Sequence, residues 1–459
     1  MIFLKLFIGI LIAWLFGYVI VCWFDAEKKI QALERMALSY LVGQGSLTLL
    51  LFMFFLLPIA NRITIVTLMV LALFILKMFL DRKRWSFSHF NSFINISRLI
   101  KIKNISLFAL IIIILFAGIT FKVSYSFIEA CSKPEYSWDG AGNWTDAGKN
   151  YFYADKYWPD KIVKELRNTV NGYPRSLSLM HYWLFSCMGE ANDQWSKIIF
   201  PIELLCLLII FYYGLKPVRG HLGALAFTYL LCSTPLFLYH STIGYADLTK
   251  TVYFAGAMIY FYRWLQTKQN YYFWPFAFLA AFTTWIKLEG KALYAIGLAL
   301  LLFYLWHSCQ ESLKSKILYI GQYLSLFVII GLPWQLFTMF IRVPDPQSVI
   351  SLSFFKYFEF HDKMYSLMFM EGSWGLFWVI FTAALLFFFK RQMKGENLYL
   401  FLAILLFYGN LLFIYLFFHN AVNDMVATFN RVLLPIYPVA VFNLGCVIPA
   451  LTINQEVKI

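Results

Sequence analysis

Long apolar runs alternate with short polar connections along this chain of 459 residues. A helix needs about 20 mostly apolar residues to cross a bilayer, and the runs predict about thirteen such spans. Their approximate limits are 2–23, 38–57, 63–80, 105–125, 198–215, 222–239, 249–265, 272–287, 291–307, 318–341, 373–389, 398–418 and 432–451. The first run lacks a small-residue cleavage site, which favours a retained span over a signal peptide. The pattern therefore predicts an all-α polytopic membrane protein.

The composition excludes an ordinary soluble protein. The chain is 61% hydrophobic and only 14% charged, and its mean hydropathy is +0.68. A soluble domain carries roughly 25% charged residues. Because so few groups can face water, lipid is the expected solvent for most of the surface.

The net charge of +14 would suit a nucleic-acid partner, but the basic residues are distributed as a topology signal. With Met1 outside, 20 of the 38 Lys and Arg residues fall in short cytoplasmic connections, against nine in short outer ones. Cytoplasmic loops carry the basic excess, and loops beyond about 60 residues are not counted. This places the long loop 126–197 outside and predicts no nucleic-acid partner.

The long outer loop is predicted to carry two interfacial helices. Aromatic and small residues recur at helical spacing over 140–157, and apolar residues do so again over 177–187. Asn171-Gly-Tyr-Pro-Arg175 interrupts the pattern, because Gly and Pro break helices. The loop also holds Cys131 and Cys187, which can pair in an oxidising compartment.

Candidate chemistry gathers at the predicted outer ends of the spans. Three carboxylates lie there, Asp139, Asp247 and Glu289. The cations at these ends or in the outer loop are Lys149, Arg175, Lys250, Lys287, Lys291 and Arg431. Ionisable groups at membrane depth are costly and tend to be functional. Carboxylates suit proton abstraction, and fixed cations suit a phosphate.

Each candidate has a structural alternative. Asp139 and Asp247 can act as helix N-caps, an ordinary role for Asp. Lys287 and Glu289 can simply pair with each other. Arg431 can be a snorkelling anchor, and Arg175 can belong only to a loop break. The histidines at the outer ends, His181, His361 and His419, are interpreted as interfacial polar residues.

Five stretches resemble a known family of membrane enzymes. They are PEYSWDGAGNW (134–144), NGYPRSLSL (171–179), GYADLTKTVYF (244–254), TWIKLEGKAL (284–293) and NRVLLPIYP (430–438). Together with a large first outer loop and an Asp just after a span, they are similar to the GT-C superfamily of integral-membrane glycosyltransferases. Bacterial transferases of aminoarabinose and mannose look like this. The resemblance covers residues 105–290 best.

The resemblance implies an inverting sugar transfer from a polyprenyl-phosphate donor to a cell-envelope acceptor. Asp139 matches the base of the family and Asp247 a second acidic position. From their places at the span ends and in the outer loop, we expect the substrate site among Trp138, Trp144, Lys149, Tyr173, Arg175, Asp247, Lys287, Glu289, Lys291 and Arg431. One branch of the superfamily uses a divalent metal, which stays an open alternative. This sequence shows no cluster of metal ligands, so we expect no required cofactor.

The expected organisation has three parts. Residues 1–104 are added N-terminal spans with a basic cytoplasmic loop, 105–310 are the GT-C-like catalytic core, and 311–459 are C-terminal spans. The expected location is the bacterial inner membrane, with the active site facing the periplasm. Two rivals remain: a transporter or flippase of lipid-linked glycans, and a glycan ligase or polymerase.

Overall fold

A computed structural model describes residues 1–57, 59–82, 107–154, 172–341, 355–417 and 425–449. Every regular element in these ranges is helical, and they contain no strand. The helices are α1 (Ile2–Phe24), α2 (Ala32–Phe55), α3 (Arg62–Asp81), α4 (Leu107–Ser132), α5 (Asp146–Ala154), α6 (Ser176–Met188), α7 (Asp193–Ser196), α8 (Ile199–Ser233), α9 (Pro235–His240), α10 (Ala246–Thr267), α11 (Asn270–Ile286), α12 (Gly290–His307), α13 (Leu313–Ile330), α14 (Leu332–Phe340), α15 (Phe355–Tyr365), α16 (Phe377–Phe387), α17 (Phe389–Gln392), α18 (Asn397–Phe417), α19 (Met425–Val432) and α20 (Ile436–Val447). Gly140–Thr145 and Ser366–Met370 form π-helical turns. The predicted all-α class is confirmed.

Several helices can cross a bilayer. Within the described ranges, eight are long and apolar enough by length and composition: Ile2–Phe24, Ala32–Phe55, Arg62–Asp81, Leu107–Ser132, Asp193–Ser233, Gly290–His307, Leu313–Ile330 and Asn397–Tyr415. Phe377–Phe387 and Ile436–Val447 are shorter apolar helices. The predicted spans 249–265 and 272–287 correspond to α10, which carries buried charged and hydroxyl groups, and to α11, which is only 17 residues long. A multi-pass membrane protein is therefore confirmed, while the count of thirteen stays a prediction.

The long helix α8 contains a reversal of the chain at Gly220. The backbone there has φ 64° and ψ −174°, a region that only Gly adopts readily. Tyr212 and His221 hydrogen-bond side chain to side chain at 2.6 Å. In a straight helix, nine residues rise about 13.5 Å, too far for this bond. The predicted spans 198–215 and 222–239 therefore lie on the two arms of a helical hairpin.

The first two helices cross at glycines. A Cβ added to Gly17 would lie 1.8 Å from the Ser39 carbonyl oxygen, and one added to Gly43 would lie 1.8 Å from that of Ala13. Small residues at such crossings let membrane helices approach closely. A side chain at either glycine would force α1 and α2 apart.

Helix α6 of the outer loop forms where a helix was predicted, and neighbouring helices bury it almost all round. The N-terminal helices cover it: the Trp183 indole N–H donates to the Gly9 carbonyl at 2.9 Å, and Thr48 Oγ1 lies 3.2 Å from Ser176 Oγ. Helix α6 is therefore enclosed by protein, with α1 and α2 on its second face, and its interfacial position stays a prediction. The N-terminal helices are packed directly against the predicted catalytic core.

The charged groups of the bundle separate to its two ends. At one end, Arg263 near the end of α10 pairs with Glu34 near the start of α2. At the other end lie the connections predicted to face outward, including residues 134–145, 240–247 and 287–290. Cys131 and Cys187 are both free thiols in the structure. The predicted boundary at 104 lies outside the described residues.

Candidate functional site

Asp247 is the centre of a charged cluster at the predicted outer end. It lies in the first turn of α10 and is 1% exposed. Its Oδ1 accepts from Lys287 at 3.0 Å and from Lys250 at 3.3 Å. Its Oδ2 accepts from Arg431 Nε at 3.0 Å and Nη2 at 2.8 Å. One carboxylate therefore gathers three cations, and the N-cap alternative is wrong because Tyr245 holds the cap position.

The local chain explains how these groups meet. Lys250 lies one turn after Asp247 on the same helix face. Lys287 ends α11 in an extended conformation, so its side chain turns back toward the start of α10. Arg431 comes from α19, far along the chain. Glu289 begins α12 and lies 3.8 Å from Lys287.

The cluster sets the ionisation of its members. Burial by itself would raise the pKa of Asp247, but Lys287, Lys250 and Arg431 together hold it well below its ordinary value. Burial likewise opposes the charged form of Lys287, yet the Asp247 and Glu289 carboxylates raise its pKa above the usual range. The same balance, with Asp247 and Asp139 as the anions, raises the pKa of Arg431. All three groups are therefore ionised at pH 7.

Asp139 and Asp247 are linked by one arginine, Arg431, which contacts both carboxylates. Arg431 Nη2 donates to Oδ2 of Asp139 as well as to Oδ2 of Asp247. The Asn143 amide donates to the other oxygen, Oδ1 of Asp139. Asp139 precedes the turn Gly140–Thr145, and across the described residues its carboxylate makes no cap hydrogen bond. Asp139 is 7% exposed, so its carboxylate is not completely enclosed.

Arg175 is a buried cation of this end with an incomplete set of hydrogen bonds. It is 8% exposed, and its Nη1 donates to the Asn143 carbonyl at 3.4 Å. Its Nε is buried with no hydrogen-bond partner in the described part of the chain, and no carboxylate there lies within ion-pair distance. Arg175 is therefore a buried positive charge with no carboxylate partner among the described residues, and Asn143 contacts both Arg175 and Asp139.

Two tyrosines form aromatic walls beside the cations. Lys287 Nζ lies 5.7 Å from the centre of the Tyr173 ring, and Arg431 Cζ lies 4.2 Å from that of Tyr245. Such cation–π contacts stabilise positive charge in a desolvated site. Burial, followed by the nearby Glu289 carboxylate, raises the pKa of Tyr173 to about 12, so its phenol stays neutral.

Some predicted site residues lie outside the cluster. Lys149 pairs with Asp193 at 2.7 Å and with Asp146 at 3.5 Å. Trp144 is fully buried, with its ring centre 5.7 Å from that of Tyr173. Trp138 is 88% exposed next to Asp139. Lys291 is exposed on α12.

The three histidines predicted to be interfacial have different outcomes. Burial lowers the pKa of His181 to about 3, and its Nδ1 lies 2.8 Å from Ser196 Oγ, so it is a neutral core residue rather than an interfacial one. His361 hydrogen-bonds Tyr408. His419 lies outside the described residues.

Three buried polar residues near the cluster were not predicted. Glu135 lies in the loop before Asp139, and its position inside the polar stretch 134–152 was the available signal. Glu203 accepts from Gln44 at 2.6 Å and from Thr249 at 2.8 Å; a Glu inside an apolar run was its signal. His240 is neutral at pH 7, because burial lowers its pKa to about 4.

No protein-family model, curated protein or solved structure matches this chain. Among the residues that the structure describes, no group of three or more His, Cys, Asp or Glu side chains is placed to hold a metal ion. The chemistry of the site therefore has to be argued from its carboxylates and cations.

Proposed function

We propose that this protein is an inverting glycosyltransferase of the GT-C type. It would move a sugar from a polyprenyl-phosphate carrier to a hydroxyl of a cell-envelope acceptor, such as a glycolipid, a lipopolysaccharide, a polysaccharide or a protein. The reaction would occur at the outer face of the bacterial inner membrane. The observation that carries the proposal is the arrangement of Asp139, Arg431 and Asp247 at one end of a membrane bundle.

The cluster has the two parts that such a transfer needs. A base must take the proton of the acceptor hydroxyl, and cations must offset the charge that develops on the departing phosphate. Asp139 supplies a carboxylate with some access to the surface. Arg431 and Lys287 are fixed nearby by Asp247, so Asp247 acts as the residue that positions the cations rather than as a second base.

The acceptor oxygen forms a bond to the anomeric carbon as the bond from that carbon to the lipid phosphate oxygen breaks. The electron pair of the broken bond leaves with the polyprenyl phosphate, and the acceptor proton passes to Asp139. The transition state has oxocarbenium character, as in glycoside hydrolysis. Phosphate is already a good leaving group, so no general acid is needed.

Purified protein in lipid tests the proposal. The protein is incubated with polyprenyl-phosphate sugars and a panel of envelope lipids and glycans, and released polyprenyl phosphate and glycosylated acceptor are measured together. Equal amounts of the two products would support transfer. Movement of the intact lipid-linked sugar between leaflets, with no product, would favour the transporter alternative instead.

Arg175 is expected to contact the donor phosphate, because its buried Nε has no hydrogen-bond partner among the described residues and its Nη1 donates to Asn143, which contacts Asp139. A charge-assisted hydrogen bond contributes about 1.5–3 kcal/mol, so Arg175→Gln should weaken binding of polyprenyl phosphate roughly ten- to a hundredfold. Binding is measured by titrating the lipid phosphate into purified protein.

Arg62→Gln is the matched control. Arg62 is also a buried arginine at this end, and its Nε donates to the Phe54 carbonyl at 3.2 Å. Polyprenyl phosphate should bind this variant as it binds wild type. Unchanged binding by Arg175→Gln would remove Arg175 from the phosphate site.

The outward orientation is tested by cysteine labelling in whole cells. Gly142→Cys lies at an exposed position of the outer loop, with no atom near the added Cβ, and Gln310→Cys lies at an exposed position of the opposite end. The seven native cysteines are buried or half-buried, so their background should be low. We expect a membrane-impermeant thiol reagent to label Cys at 142 but not at 310. The reverse pattern would show that the topology is inverted.

A further inference from the structure

The Glu135 carboxylate is a buried group with an incomplete set of partners. Its Oε1 accepts from the backbone N–H of Ser137 at 2.8 Å and from the Ser137 hydroxyl. Its Oε2 is buried and accepts no hydrogen bond from the described residues. The nearest cation is Lys197, whose Nζ lies 3.9 Å from Oε2. With no exposed side-chain surface, Glu135 cannot touch a substrate.

Lys197 holds the same short segment by a second contact. Its ammonium group donates to the Pro134 carbonyl at 3.1 Å, and its side chain is only 1% exposed. A buried charge is stable only when it is paired and hydrogen-bonded. Lys197, which precedes α8, therefore ties residues 134 and 135 to the bundle.

Two glycines from different loops pack closely against the Glu135 carboxylate. A Cβ on Gly140 would lie 2.7 Å from Oε1 of Glu135, and one on Gly244 would lie 2.5 Å from Oε2. Gly140 follows Asp139 directly, and Gly244 lies three residues before Asp247. The Gly244 Cβ would also lie 3.3 Å from Gly140 Cα. The loop that contains Asp139 (residues 134–141, the Asp139 loop) and the loop that precedes Asp247 (residues 240–246, the Asp247 loop) therefore both contact the Glu135 carboxylate.

We propose that Glu135, held by Lys197, is a positioning residue that fixes the Asp139 loop against the Asp247 loop. The effect of this positioning on catalysis rests on the proposed function. The distance between base and cations then depends on a buried ion pair that the substrate never reaches. Loss of the pair would displace Asp139 without removing any substrate contact.

Two variants test the inference. Glu135→Gln keeps the shape but removes the charge that faces Lys197. Since a misplacement of about 1 Å can lower a rate roughly a hundredfold, we expect kcat to fall about ten- to a hundredfold. The KM for the lipid donor should stay within about twofold. Ser137→Ala removes only one donor to Glu135 and should fold; its kcat should fall about two- to tenfold.

The control is Glu129→Gln. Glu129, near the end of α4, pairs with Lys133 just after the helix. Both residues are close in sequence to Glu135, but part of each side chain is exposed. Its kcat and KM should match wild type. A purely structural role for Glu135 would lower the melting temperature and leave kcat per folded molecule unchanged; that result in both variants overturns the inference. If Glu135→Gln does not fold, Ser137→Ala alone decides in the same way.

Hydrogen exchange gives a readout that needs no transferase activity. We expect faster amide exchange in segments 134–141 and 240–246 together in Glu135→Gln or Ser137→Ala, and in neither segment in Glu129→Gln. Faster exchange in 134–141 alone would overturn the link between the loops. Coupled exchange in a protein whose wild type transfers no sugar would contradict the proposed function while leaving the positioning role standing.

Discussion

Asp139→Asn is expected to lower sugar transfer by about 10²–10⁴-fold, the usual contribution of general acid–base catalysis. Asn has the same size as Asp, and its carbonyl oxygen can still accept from Arg431. The other oxygen is replaced by an amide NH2, to which the Asn143 side chain can present its own carbonyl oxygen once its amide turns over. The main losses are therefore the negative charge and the ability to take a proton. Expression and melting temperature should therefore change little, and the loss should appear in kcat.

Asp139→Asn is compared with wild type at equal amounts of folded protein, and a second carboxylate from the same loop serves as the control. Asp146→Asn provides it, because Asp146 is exposed and contacts only Lys149 among charged groups of the described residues. Transfer by that variant should equal wild type. If Asp139→Asn transfers sugar within a few-fold of wild type, Asp139 is not the base.

Asp247→Asn is expected to destabilise the protein itself, by about 3–5 kcal/mol, because removing one partner of a buried ion pair leaves charge without compensation. Here Lys250, Lys287 and Arg431 would remain close together with one fewer anion. The melting temperature of the purified protein should fall by several degrees. Transfer should fall as well, because the cations lose the carboxylate that positions them.

Asp193→Asn is the matched control for stability. Asp193 also pairs with a lysine, Lys149, but both side chains are partly exposed. Such a pair contributes about 0–1 kcal/mol, so the melting temperature should barely change. A melting temperature of Asp247→Asn equal to that of wild type would mean that the three cations do not depend on Asp247.

Much of the fold could be predicted because membrane helices are encoded locally. Each apolar run of sufficient length predicts a helix without reference to the rest of the chain. The helices at 2–23 and 38–57 were found in this way, and so was the non-helical stretch 172–175 that precedes α6. The position of α6 could not be predicted in this way, because its burial depends on α1 and α2, which lie more than a hundred residues earlier.

The candidate site divides in the same manner. Asp139, Asp247, Lys287 and Arg431 were selected because charged groups at span ends are costly and uncommon. Lys149 satisfied the same test, and only the structure shows that Asp193 is its partner. Glu135 was not selected, because its place in the polar loop is visible in the sequence but its burial is not.

By itself, the sequence determined that this is a helical membrane protein and that its unusual polar residues lie at the predicted outer ends of the spans. Apolar length and charge placement are local properties, and lipid acts on them locally. The tertiary structure alone decided which of those residues meet. Arg431 and Asp139 are separated by 292 positions, and their contact follows from the packing of whole helices rather than from any pattern near either residue.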